Sequence, residues 1–303
     1  MYNTIVISIN VFEDNNVNGK HGDDNLNYYF LKEQIKDIKY NTTDFKEVYV
    51  ILSCNDKIYD RIQNEGLYDE KVKIIVNPEV INKKRDHGSL TKGIFSNLKY
   101  VIENKIDFDY FIVFSSRNVF TNKINLDIIY NHMITAKTKW DELSKLNKTF
   151  FYNPNSNEYS ICDGTTEPGY RNYNQRRPIQ FRKSVSPETS HPQWYFNHGR
   201  IKNRQWFKKF QNEFDFIIGG KHESLCFTYD VIKNMYRYII NNIDTMNEIY
   251  NTNAFVEETI PQTLGYNLRS NKDDISFTFI PETRLLQRKL DVINRHLNKQ
   301  IEE

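Results

Sequence analysis

The chain has 303 residues and a formal net charge of +2, from 41 basic and 39 acidic side chains. That length supports one large domain or two modest ones with a sizeable core, and the balanced charge argues against a global polycation for nucleic acid or membrane. Only 11 Gly and 8 Pro stand beside 20 Tyr and 20 Phe, which excludes collagen-like, linker-rich and disordered compositions.

Residues 5–9 are a β-branched run that reads as a buried strand. A polar loop with Gly19 and Gly22 follows, and Asp23 or Asp24 caps a predicted helix bearing Leu26, Phe30, Ile35 and Ile38. Strands are predicted at 48–52 and 72–76, with a short helix around Ile58 and Ile62 between them. Ser89 is the expected cap of a helix whose Leu90, Ile94, Leu98, Val101 and Ile102 share a face. A fourth strand at 110–114 and a helix at 126–134 complete this half.

Strands alternating with helices predict an α/β fold: a mostly parallel, Rossmann-like sheet with helices on both faces. Ligands of such sheets lie beyond the carboxyl ends of the strands. That rule singles out residues 10–24, 53–56, 77–86 and 115–118.

Periodicity fades between about 150 and 215, where an irregular insertion is expected. Residues 170–209 hold ten Lys or Arg against one acid, Glu188. Tyr170, Tyr173, Trp194, Tyr195 and Trp206 are interleaved with them. This pattern suits single-stranded nucleic acid, a sugar or anionic acceptor lying on aromatic faces, or a solvated loop with partly buried rings. Regular elements then return: a strand at 214–218 ending in Gly219-Gly220, helices at 230–241 and 256–264, a strand at 275–280 and a closing helix at 284–301. With no internal repeat and no linker, a single domain over 1–303 is expected.

Several motifs have structural readings. Gly19-x-x-Gly22 has neither the spacing nor the context of a phosphate-binding loop and reads as a turn. Asp107-Phe108-Asp109 precedes its strand, so both acids sit at the end away from a ligand and are expected to be structural. His87, His191, His198 and His222 are too widely spaced for a metal site. Cys54, Cys162 and Cys226 form neither a disulfide framework nor a zinc signature, which fits a reducing compartment. No apolar run approaches 18 residues, and the first residues lack the basic start and apolar stretch of a signal peptide, so a cytoplasmic chain without a membrane span is expected. Glu257-Glu258 precedes an apolar helical turn, where carboxylates suit the helix dipole.

Taken in order, several segments resemble the core-2/I-branching β-1,6-N-acetylglucosaminyltransferase family, which includes the peptide O-xylosyltransferases. They are His87-Gly88-Ser89-Leu90 opening a helix with Asn97-Leu98, residues 109–120 as an aromatic strand and polar turn, and Asn125-Leu126-Asp127-Ile128-Ile129. Residues 219–232 follow as a Gly-led strand and helix, then Glu257-Glu258-x-x-x-Gln262-Thr263, and finally Leu285-Leu286-Gln287-Arg288-Lys289-Leu290-Asp291. Pro261 replaces a usual aromatic, and the family's Cys pattern is absent. Without the anchor of Golgi members, the chain resembles a microbial or viral relative, which in the viral case would act in host cytoplasm.

The resemblance implies a GT-A-type fold and metal-independent, inverting transfer of a sugar, GlcNAc or xylose foremost, from a nucleotide donor such as a UDP-sugar to a hydroxyl of a glycan or glycoconjugate. It implies no cofactor and no nucleic-acid partner. Residues 1–140 would form the nucleotide-sugar half and 141–303 the acceptor and catalytic half. Glu258 aligns with the catalytic base, and Glu257, a like charge beside it, would raise its proton affinity. Lys289 aligns with the diphosphate-binding Lys, with Arg288 beside it and either Arg269 or Lys272 joining it. Ser115, Ser116 and Arg117 would lie where the donor sits, and Trp194, Tyr195 and Glu223 are the expected acceptor contacts. The rival expectation is a non-catalytic glycan- or nucleic-acid-binding protein that uses residues 170–209.

Overall fold

A computed structural model describes residues 2–12, 27–78, 87–145, 150–153, 158–161, 179–183, 204–219, 223–252, 256–257, 259–271, 274 and 276–285. The elements are β1 (Thr4–Val11), α1 (Asn27–Asn41), β2 (Glu47–Cys54), α2 (Asp56–Glu65), β3 (Val72–Val76), α3 (His87–Glu103), β4 (Tyr110–Ser115), β5 (Asn118–Phe120) and α4 (Leu126–Ser144). They continue with β6 (Phe150–Asn153), β7 (Glu158–Ile161), β8 (Ile179–Lys183), α5 (Gln205–Glu213), β9 (Phe216–Gly219), β10 (Leu225–Thr228), α6 (Tyr229–Asn241), α7 (Ile243–Tyr250), α8 (Ile260–Asn267), β11 (Phe277–Phe279) and β12 (Thr283–Leu285).

The central sheet has the order β11-β10-β4-β1-β2-β3. Its four strands from β4 to β3 are parallel, while β10 is antiparallel to both β4 and β11. The expected mixed α/β architecture with a mostly parallel, helix-flanked sheet is thus observed. Every residue of β1 is buried, as a strand covered on both faces must be. Val6 joins an apolar cluster with Ile94, Phe95 and Leu98 of α3 and with α5 to α8. Ile5, Ile7 and Ile9 point the other way, into a second cluster with Tyr28, Leu31 and Ile35 of α1 and Ile58 and Ile62 of α2.

Polar groups fix the amino end of the sheet. The Asp109 carboxylate accepts the backbone N–H groups of Tyr2 and Thr4, both at 3.1 Å. This ties β4 to the start of β1 and gives Asp109 the structural role its position predicts.

Among the described residues, the region expected to be irregular contains three strands and a helix. Strands β7, β6, β8 and β9 form an antiparallel sheet in that order. Runs of four or five residues are too short to display a period, which is why the pattern is invisible in sequence. Helix α8 covers the outer edge of β9 with side chains. Thr263 Oγ1 accepts Ile218 N–H at 3.0 Å and Asn267 Nδ2 donates to Phe216 O at 2.8 Å, a substitute for a neighbouring strand at an open edge.

Three further expectations are corrected. Ser89 lies inside the first turn of α3, which already begins at His87, so it is not the cap. The helix expected over 256–264 runs from Ile260 to Asn267, with Pro261 in its first turn where its missing N–H costs nothing. Arg284 and Leu285, expected to open a closing helix, belong to β12, because the antiparallel pairing with β5 overrides local preference. The rest of that expected helix, and the expected cap at Asp23 or Asp24, lie outside the described residues.

Candidate functional site

Strand order determines where a ligand can enter. From β1 the chain steps to β2 and β3 on one side and to β4 on the other, so the crevice opens between the carboxyl ends of β1 and β4. Asn10 and Ser115 are register partners at that point. Both lie among the residues that the sequence marks as ligand-facing.

The floor beside this crevice is a polar network around Asn97 of α3, which is wholly buried. Its Oδ1 accepts from Ser53 Oγ at 2.6 Å and from Asn77 Nδ2 at 3.1 Å. Its Nδ2 donates to Ser8 Oγ and to Ile51 O, both at 3.0 Å. One side chain thereby ties α3 to β1, to β2 and to the residue after β3. The Asn-Leu pair singled out by the resemblance has a physical reason here, because Asn97 holds the sheet while Leu98 fills the core. Gly88 has one as well: a Cβ there would overlap the Tyr250 carbonyl at the end of α7, so only glycine lets α3 begin so close to that backbone.

A second network shapes the wall formed by β4. Asn118 Oδ1 accepts Ser115 N–H at 3.0 Å and Ser115 Oγ–H at 2.6 Å, closing the turn through Ser116 and Arg117. Gln34 of α1 supports the turn from below, donating Nε2 to Ser115 O at 2.8 Å and to Asn118 O at 2.6 Å. Asn118 Nδ2 then donates to Ser224 Oγ at 3.1 Å. Ser224 Oγ contacts Thr283 Oγ1 at 2.5 Å, and Thr283 Oγ1 donates to Ile280 O at 3.0 Å. Ser224 has φ +71°, a left-handed conformation rare for a residue with a Cβ. Its N–H donates to Val113 O at 2.8 Å and its carbonyl accepts Ile280 N–H at 2.9 Å. Four hydrogen bonds therefore hold a backbone conformation that costs on the order of 1–3 kcal/mol.

The predicted site residues distribute as follows. Ser115, Ser116 and Arg117 are half-buried at the carboxyl end of β4, and Glu223 is half-buried next to Ser224 on the same edge. Strand β12 runs antiparallel to β5, so Leu285 stands opposite Asn118, beside the Ser115–Arg117 turn. Glu257 is buried in the turn before α8, where Ile260 N–H reaches Val256 O at 2.8 Å. Because α8 runs antiparallel to β9, that turn lies toward the Gly219 end of β9. Gly219 and Glu223 are four residues apart, which bounds their separation at about 14 Å.

Arg269 is not brought to this edge. Its guanidinium lies over the Tyr266 ring, 4.1 Å from the centroid. The loop it starts is held to α6 by Asn234, which bonds Leu268 O at 2.9 Å, and it leads into β11 at the amino end of the parallel strands, where Thr228 N–H meets Ser276 O. Glu258, Lys272, Arg288, Lys289, Trp194 and Tyr195 lie outside the described residues, as do His191, His198, His222 and Cys162. Gln34, Ser224 and Thr283 escaped sequence reasoning. Each sits in an otherwise ordinary segment, and only the tertiary fold aligns them.

Burial raises the two described thiols, pushing Cys54 up to about 12 and Cys226 well above its ordinary value. Both stay protonated near neutrality and neither is poised as a nucleophile. Among the described residues no helix is long and apolar enough to cross a membrane. Compared with known proteins, the chain matches no family model, and no curated protein sequence matches it.

Proposed function

We propose that the protein is a metal-independent, inverting glycosyltransferase of GT-A type, moving GlcNAc or xylose from a nucleotide donor to a hydroxyl of a glycan or glycoconjugate. The observation that carries this reading is the convergence at one sheet edge. The crevice between β1 and β4, the Ser115–Arg117 turn, Glu223 and the end of β12 all lie there. Lys289 follows the end of β12 by four residues in the sequence, and its role rests on the resemblance.

Inversion takes one displacement. The base removes the proton of the acceptor hydroxyl as that oxygen attacks the anomeric carbon, and the bond to the nucleotide diphosphate breaks. Glu258 is the assigned base, a contribution worth roughly 10²–10⁴-fold. Lys289, with Arg288, offsets the charge that grows on the leaving diphosphate, where fixed cations stabilise best because they need no reorganisation.

The test pairs a binding and a turnover readout. Thermal stability is followed with UDP, UDP-GlcNAc, UDP-xylose and other nucleotides, with EDTA and with manganese. UDP release is followed with glycan acceptors. The expected result is a nucleotide-dependent shift that EDTA leaves intact, with Glu258→Gln keeping the shift and losing UDP release by about 10²-fold or more. A shift that needs manganese would overturn the metal-independent mechanism. No shift with any nucleotide in a folded sample would overturn the transferase reading.

A further inference from the structure

We infer that the crevice between β1 and β4 recognises vicinal hydroxyls through two hydrogen-bond acceptors, Ser115 Oγ and Asn10 Oδ1, and that Ser115 does not bind the diphosphate. This deepens the proposed function and rests on it for the choice of nucleotide sugars as probes.

The argument is a count of protons. A backbone N–H can only donate, so the bond from Ser115 N–H fixes Oδ1 as the Asn118 atom facing Ser115. Ser115 Oγ, 2.6 Å from that oxygen, must therefore be the donor. Further along, Ile280 O can only accept, so the Thr283 proton is committed to it. Ser224 then donates to Thr283 and accepts from Asn118. The chain of donors runs one way, from Ser115 through Asn118, Ser224 and Thr283 to Ile280 O. Its middle members are at most 2% exposed, so water does not reverse it.

Ser115 is half-buried and has spent its only proton inward. It offers an approaching ligand lone pairs alone. Its register partner on the same face of the sheet is in the same state. Asn10 Nδ2 donates to Leu90 O at 3.1 Å, which fixes the amide orientation. Asn10 is 6% exposed, and its Oδ1, itself buried, has no hydrogen-bond partner among the described residues. An unmatched buried acceptor is costly, and a ligand donor would relieve that cost. Register partners in neighbouring strands lie about 5 Å apart, a separation that adjacent hydroxyls of a sugar ring can bridge. A phosphate oxygen has no proton to give and would face two acceptors. The ribose of the nucleotide and the transferred sugar are the two sources of such a diol.

The experiment is calorimetric binding of UDP, 2′-deoxy-UDP, 3′-deoxy-UDP, UDP-GlcNAc, free GlcNAc, free xylose and inorganic pyrophosphate to the full chain, for wild type, Ser115→Ala and Ser115→Thr. If ribose is the diol, a deoxy analogue binds wild type about five- to tenfold more weakly than UDP. Ser115→Ala then weakens UDP equally without weakening the analogue further, while Ser115→Thr retains the discrimination. If the sugar is the diol, Ser115→Ala instead removes the advantage of UDP-GlcNAc over UDP. Pyrophosphate binding stays unchanged in either case. Loss of pyrophosphate affinity in Ser115→Ala overturns the inference, as does the absence of both discriminations, and either result leaves the transferase reading standing. If no nucleotide binds wild type, the transferase reading fails. The inference then stands only if GlcNAc or xylose binds with Ser115 dependence, and falls otherwise. The wild-type analogue comparison needs no variant to fold.

Discussion

Replacing Asn97 with Ala probes whether the floor of the crevice is held by polar rather than apolar contacts. The substitution removes four hydrogen bonds, to Ser8, Ser53, Asn77 and Ile51. Ser53 Oγ keeps a longer bond to Gly93 O at 3.3 Å. The Ser8 hydroxyl, 0% exposed, loses its donor inside the sheet. One stranded hydroxyl is worth about 1–3 kcal/mol, and the weakened contacts to Asn77 and Ile51 bring the loss to about 3–4 kcal/mol. For a chain of this size that corresponds to a fall in Tm of roughly 5–6 °C. Urea unfolding of wild type, Asn97→Ala, Ser8→Ala and the double variant measures the pair directly. The double variant should be more stable than the sum of the single losses predicts, by about 1 kcal/mol, because it removes both partners of the same bond. A single-variant loss below about 1 kcal/mol, or additivity within about 0.5 kcal/mol, would refute the reasoning.

Two other perturbations have a defined sign. Gly88→Ala should destabilise by about 1–3 kcal/mol, measured as a lower urea midpoint at unchanged slope; in an open helix position the same change would stabilise. For Cys54, the thiol rises from 9.0 to about 12 on folding. A raised acid favours the native state while both forms are protonated, so its contribution is complete below pH 9 and is lost as pH rises from 9 toward 12. Cys226 acts in the same direction. The expected observations are a stability that falls with pH above 9 and Cys54 and Cys226 thiols that react with an aromatic disulfide at pH 8 only after denaturation.

The part of the fold that proved legible in the sequence consists of long apolar periods. Residues 5–9, 48–52, 72–76 and 110–114 fall inside β1, β2, β3 and β4, and the apolar stripe from Ile94 to Val101 packs α3 on the sheet. Their alternation also predicts which strand ends face a ligand, and Asn10 and Ser115 are among them. Of the antiparallel additions, the strand expected at 275–280 contains β11, whereas β12 was not legible, because β5 and β12 have three residues each and exist as strands only through each other. Arg269 shows the same limit in the site. Spacing before the final strand allows it a place near the diphosphate, but the loop's tether to Asn234 and the face of Tyr266 hold it at the opposite end.

Polar residues at the carboxyl edge divide by where their protons go, and that division separates scaffold from site. Asn97 and Asn118 use both faces of their amides on the protein, and Ser224 uses all four of its polar contacts to hold a left-handed backbone. Such groups cannot serve a ligand without releasing a segment of chain: β3 and its following residue for Asn97, the β4–β5 turn for Asn118, and the start of β10 for Ser224. Asn10 and Ser115 are different, because each donates inward and keeps an acceptor in reserve. Preorganisation follows from the same arrangement. The donors that orient Asn10 and Ser115 are satisfied by backbone carbonyls or by a buried amide, so neither side chain has to turn when a ligand arrives. For the inferred diol site, the reorganisation that weakens polar recognition in water is then limited to uncovering the buried Asn10 oxygen.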